Sequence, residues 1–147
     1  MKSIWDASSR NEILARLEKL TPDRRPLWGR MTAAQMVAHA ADPLCAALGE
    51  VEAAPKPGPF RNPLLRYLII YWMPWPKGAP TAPEFVHEEA ADLPEKLAAL
   101  RSTMERFAAR GERGPWKPHV VFGELSGKDW GCLTYRHLDH HLRQFGV

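Results

Sequence analysis

The sequence has no apolar run long enough to cross a bilayer. Its most apolar stretch, LLRYLIIYWMPWP (64–76), is interrupted by Arg66 and closed by Pro74 and Pro76. A spanning helix needs about 20 apolar residues. Cysteine is scarce: two in 147 residues. Cys45 and Cys132 lie in apolar, helix-like segments and not in a spaced framework, so buried thiols in a reducing compartment are expected, not a disulfide. No block of five like charges occurs, and the formal net charge is only +3. That argues against the basic stripe of a nucleic-acid-binding face. The N-terminal MKSIWDASSR has neither an apolar h-region nor a cleavage site, so no secretory leader is expected. Internal repeats, heptads and low-complexity tracts are missing as well. The expectation is a cytoplasmic protein with no membrane or nucleic-acid partner. At 45% hydrophobic residues, the 147-residue chain can bury a core as one domain, residues 1–147.

What is present is helical periodicity. Ser9 to Leu20 carries Ile13, Leu14, Leu17 and Leu20 on one stripe, and Pro22 stops it. Thr32 followed by Gln35 reads as a capping box. The helix it opens carries Met36, Val37, His39, Ala40, Leu44 and Ala47, with Gly49 as its stop. Pro43 falls inside that pattern and is expected to kink or break the helix near Asp42. Residues 61–73 read as a short helix, apolar on nearly every side. MPWPKGAPTAPEF (73–85) has four prolines and no period, and is expected to form a stiff, ordered flap. Leu93 to Ala109 is strongly amphipathic through Leu93, Leu97, Leu100, Met104 and Phe107. After an extended-looking connector, PWKPHVVFGEL (115–125), Ser126 and Asp129 make a second capping box. The last helix carries Trp130, Leu133, Leu138, Leu142 and Phe145, up to Gly146. Four main helices, one short one and almost no strand predict an all-α helix bundle.

Three of six histidines fall within five positions of YRHLDHHLRQFG (135–146). On a helix His137 and His141 lie about 40° apart round the axis and about 6 Å along it. Side chains at that spacing meet, so two imidazoles can converge on one ion. The pair resembles that of HExxH, but the glutamate of that motif is absent, and with it a metalloprotease's general base. His140 could ligate instead, or donate a hydrogen bond behind the ligands. A third ligand is needed, and His39, beside Met36, Val37 and Ala40, is the best candidate. Burying its imidazole without a partner would cost about 1–3 kcal/mol. The bland alternative is an ordinary surface pair and a core histidine satisfied by a hydrogen bond. Asp42 is a fourth ligand, an orienter of His39, or a solvent-facing helix-end residue. His87, in VHEEAAD, is expected to be solvated, and His119 either lines the site or marks a loop.

WGRMTAAQMVAHA (28–40), PWPKGAPTAPEF and FGELSGKDWGCLTYRHLDHHLRQFG together resemble the DinB-like superfamily. More narrowly, they resemble a branch of it known as a domain of unknown function. The resemblance runs from Leu27 to Gly146, and its C-terminal H-x-x-H-H-x-R-Q-F-G is the specific part. It implies an up-down-down-up four-helix bundle, here with an extra short helix and a long proline-rich loop. It also implies a divalent ion, zinc or nickel, held by one histidine of the second helix and two of the last: His39, His137 and His141. Better-known relatives are transferases and isomerases that use low-molecular-weight thiols. Many carry H-x-x-H-H-R-G-Q, whereas Leu142 and Arg143 stand at the Arg and Gly positions here, so a role for that arginine does not carry over.

Two functions are therefore expected. One is a metal-dependent thiol transferase or hydrolase acting on a small molecule. In it His140 and His119 are the acid–base candidates, Arg143 pairs with an anionic substrate group, and Trp75 covers the mouth. Three imidazoles leave a coordination position open, as catalytic sites do. The other is a non-catalytic metal- or ligand-binding bundle that forms a homodimer through the apolar RYLIIYW segment.

Overall fold

A computed structural model describes residues 1–56, 58–77 and 92–147. Among them are five α-helices: α1 (Ala7–Leu17), α2 (Ala33–Leu48), α3 (Pro63–Tyr71), α4 (Leu93–Arg110) and α5 (Gly127–Gln144). A single 3-10 turn, Pro59–Arg61, precedes α3. The described residues include no strand, only an isolated antiparallel bridge between His119 and Gly123. None of their helices is long and apolar enough to cross a membrane. The all-α expectation therefore holds.

Both capping boxes form. The Thr32 hydroxyl accepts from the Gln35 N–H while the Gln35 side chain accepts from the Thr32 N–H. Ser126 and Asp129 make the same reciprocal pair at the start of α5. Each box satisfies two of the donors a helix start leaves open. The first helix begins two residues earlier than its apolar stripe, because Asp6 caps it by accepting from the Ser9 N–H at 2.8 Å. It also ends sooner, at Leu17, with Leu20 buried from the turn that follows.

Pro43 does not break α2, which continues to Leu48. Proline removes one N–H, the one that would have bonded the carbonyl of His39 four residues back. The flanking residues Ala40, Leu44 and Ala47 are all buried to within 1%, and packing of that face outweighs one lost bond. The 61–73 segment is mostly exposed, as its reading as a self-association face requires. Only Ile70 of α3 is buried, while Leu64, Tyr67 and Trp72 are 68%, 51% and 69% exposed.

One cluster of buried side chains draws on all five helices, among them Ile13, Met36, Ile70, Phe107 and Leu138. α2 packs against α4, and α5 touches α1, α2 and α3. This makes α5 the common wall, and its buried residues Trp130, Leu133, Leu138 and Leu142 match the apolar stripe of the sequence. Cys45 and Cys132 are free thiols, half-buried and buried, and burial raises the pKa of both. The His87 expectation and the flap from residue 78 onward lie outside the described residues.

Candidate metal centre

α2 and α5 bring three imidazoles to one point. Nε2 of His137 lies 3.2 Å from Nε2 of His39 and 3.1 Å from Nε2 of His141. One ring nitrogen from each of the three lies within 4.8 Å of the others. The rings stand nearly perpendicular to one another, at 80–82°, so their edges converge instead of stacking. His39 and His141 are 9% and 8% exposed.

Burial holds the two α5 rings, His137 and His141, neutral. It pushes His137 well below the usual histidine range, with the neighbouring His141 and His39 adding to the effect. It pushes His141 down to about 4, against an opposing hydrogen bond from Gln144. Neutral imidazole is the form that ligates a metal.

The tautomer of His141 follows from a chain of bonds. The Gln144 amide N–H donates to the Trp28 carbonyl at 2.7 Å. A carbonyl only accepts, so the amide nitrogen faces Trp28 and its oxygen faces His141. The His141 Nδ1–H therefore donates to Gln144 Oε1 at 2.8 Å, and Nε2 presents a lone pair to the other rings. His137 can donate from Nε2 to only one of its two neighbours, whereas one divalent cation can accept a lone pair from all three rings. Nitrogens bonded to tetrahedral zinc at 2.0–2.1 Å sit about 3.3–3.4 Å apart, close to the two separations from His137. The donor set fits such an ion.

A family model for proteins of unknown function, DUF1569, matches residues 8–146. The chain belongs to the DUF1569 family. No curated protein and no solved structure matches it.

Gln144 and Trp28 are the members of the DUF1569 site that sequence reasoning did not single out. The signal lay in the quoted R-Q-F-G, where a glutamine three residues beyond His141 falls on the same helix face. Gly29 completes the arrangement. Its φ is +79°, and a Cβ there would lie 2.6 Å from Gln144 Nε2. Replacing Gln144 by leucine should weaken metal binding about 10–100-fold, the usual cost of losing the partner behind a ligating histidine. Gly29→Ala should do the same by displacing the amide, although it touches no ligand. Competition titration against a chelating dye measures both, and wild-type affinity in Gln144→Leu would refute the role.

The other expected site residues are more scattered. His140 lies on the rim, its ring 5.3 Å from that of His141 and 5.8 Å from those of Trp28 and Trp75. Trp75 also packs 5.9 Å from His137. It is anchored by its indole N–H to the Ile69 carbonyl and by Arg136, whose guanidinium caps the carbonyls of Ile69, Ile70 and Met73 at the end of α3. Arg143 pairs with Asp139 at 3.0 Å. Trp28, Trp75, His140 and Arg143 line a cavity of about 230 Å³. Asp42 is not part of the converging donor group.

His119 is held by its own turn. Its Nδ1 accepts from the N–H groups of Val121 and Phe122 at 3.1 and 3.2 Å, and its ring packs on Phe122 and Trp130. Burial pushes its pKa down to about 4. The unfolded chain takes up a proton near pH 6.5 that the folded ring resists until about pH 4, so acidification destabilises the fold. By linkage the loss from this residue at pH 5 is about 2 kcal/mol. His119→Asn keeps an acceptor for the turn without that titration. Denaturant melts at pH 7 and pH 5 should therefore converge more closely in the variant than in the wild type. An equal pH dependence in both would sink the assignment.

Proposed function

We propose that this DUF1569 protein binds one divalent metal through His39, His137 and His141 and acts on a small molecule as a thiol transferase or a hydrolase. The observation that carries the reading is the convergence of three imidazole Nε2 atoms from two helices beside a cavity. Three nitrogen donors suit zinc or nickel, and the bound ion would supply a Lewis acid for a water or a thiol with a coordination position left open.

The rest is done by the chain's own side chains. Gln144 holds the His141 tautomer. His140, kept neutral by burial, is the imidazole on the cavity wall able to take a proton there. Trp75 limits the access of water, and Arg143 offers charge to an anionic group. His119, with Nδ1 already engaged, serves the turn it sits in.

We place the protein with the DinB-like superfamily, reading α1, α2, α4 and α5 as an up-down-down-up four-helix bundle. Donors on the second and last helices, in an H-x-x-H-H spacing, support that placement. We further propose a cytoplasmic location with no nucleic-acid partner, in keeping with two free thiols and scattered charge.

Protein purified without a histidine tag should contain stoichiometric metal by elemental analysis, and metal-loaded protein should conjugate small thiols to a model electrophile. A second reading rests on the exposed apolar side of α3, which suits self-association of a non-catalytic bundle. No metal-dependent turnover across several thiols, together with a dimer abolished by Leu64→Ser, would favour that reading.

A further inference from the structure

The cavity beside the triad carries its own recognition chemistry. Two indoles form its walls, Trp28 and Trp75, and the charged groups on it are Lys77, Arg136, Arg143 and Asp139. The one carboxylate is already neutralised. Asp139 pairs with Arg16 at 2.7 Å and with Arg143 at 3.0 Å. The Arg136 guanidinium is spent on the α3 carbonyls. Lys77 has no carboxylate within bonding distance among the described residues; its ammonium lies 4.6 Å above the Trp28 ring. Arg143 engages Asp139 through Nε and is 71% exposed, which leaves its terminal nitrogens for a ligand. The field in the cavity is thus positive.

Indole faces alone would also suit a cationic ligand. Here both faces already have a cation of the protein's own, Lys77 over Trp28 and Arg136 at 5.7 Å from Trp75. A second cation would be repelled. Its volume, about 230 Å³, suits a small molecule.

We propose that the cavity binds a small carboxylate with a flat or apolar body, its charge met by Lys77 and Arg143 and its body by Trp28 and Trp75. The location next to the triad ties this ligand to the metal-centre reading, but the binding itself requires no ion. A carboxylate so held would be presented to the rim on which His140 sits.

The probe is benzoate, set against its neutral and cationic analogues benzyl alcohol and benzylamine. Each is titrated into metal-free and metal-loaded protein while the indole N–H signals of Trp28 and Trp75, assigned through Trp→Phe variants, are followed by NMR. Benzoate should shift both signals at lower concentration than either analogue, with or without metal. Lys77→Met and Arg143→Met should each weaken it about tenfold, the loss expected for one charge-assisted hydrogen bond. Equal binding of the three probes, or benzoate binding unchanged in both Met variants, would overturn the proposal. So would benzoate binding that appears only with metal, which would leave the metal centre intact and assign the carboxylate to the ion. Conversely, a protein that takes up no metal but binds benzoate through Lys77 and Arg143 would keep this inference and lose the metal centre.

Discussion

His39→Ala, His137→Ala and His141→Ala should each lower divalent-metal affinity by roughly two to three orders of magnitude. Structural zinc in small domains binds with about 10–16 kcal/mol shared over four ligands, or about 2.5–4 kcal/mol for each. The three residues come from two helices, and Nε2 of His137 lies 3.1–3.2 Å from those of the other two, so removing any one opens the same point. His87→Ala and His119→Ala should leave the affinity unchanged. Isothermal titration gives the affinities, and thermal melts give an independent readout. Metal should raise the wild-type melting temperature because only the folded chain assembles the donors, and should not raise it in the three variants. Metal retained at full affinity in both His39→Ala and His141→Ala would end the triad assignment.

Gly131→Ala should destabilise the fold by about 3 kcal/mol, which for a chain of this length lowers the melting temperature by about 10 °C. Gly131 lies within α5, where alanine would ordinarily gain up to about 1 kcal/mol. The opposite sign is expected because the N-terminal arm rests on it. A Cβ would fall 2.3 Å from Trp5 Nε1 and 2.4 Å from Ser3 Oγ. Trp5 has nowhere to go: its indole N–H donates to the Gly127 carbonyl at 2.8 Å, and its ring stacks on Phe107 at 4.9 Å with 5° between planes. Displacing it forfeits the hydrogen bond and the stacking, each worth about 1 kcal/mol, and adds overpacking strain of about 1–3 kcal/mol. The control is a double-mutant cycle. In a Trp5→Ala background, Gly131→Ala should cost much less, leaving only the approach to Ser3 Oγ, and a cost that persists in full would show that the indole is not the cause.

Both sites illustrate where sequence patterns stop. The apolar stripes of α2, α4 and α5 were legible because burial of one face imposes a 3.6-residue period on the chain. The two capping boxes were legible because they are local, three residues apart. The i, i+4 relation of His137 and His141 was legible for the same reason. Arg143 and Trp75 could be nominated as residue types, but the wall they share with Trp28 forms only when the connector before α2 folds across the end of α5.

By itself, then, the sequence determined the helical class, most helix limits and the candidate ligands, because each rests on contacts within one or two turns. Tertiary structure alone decided that His39 reaches the α5 pair, that α2 passes Pro43 unbroken, and that one side of α3 stays exposed. It also decided that Gly29 and Gly131 are required beside Gln144 and Trp5. Those outcomes depend on which surfaces meet across long stretches of chain, and packing between distant segments leaves no periodic trace in either one.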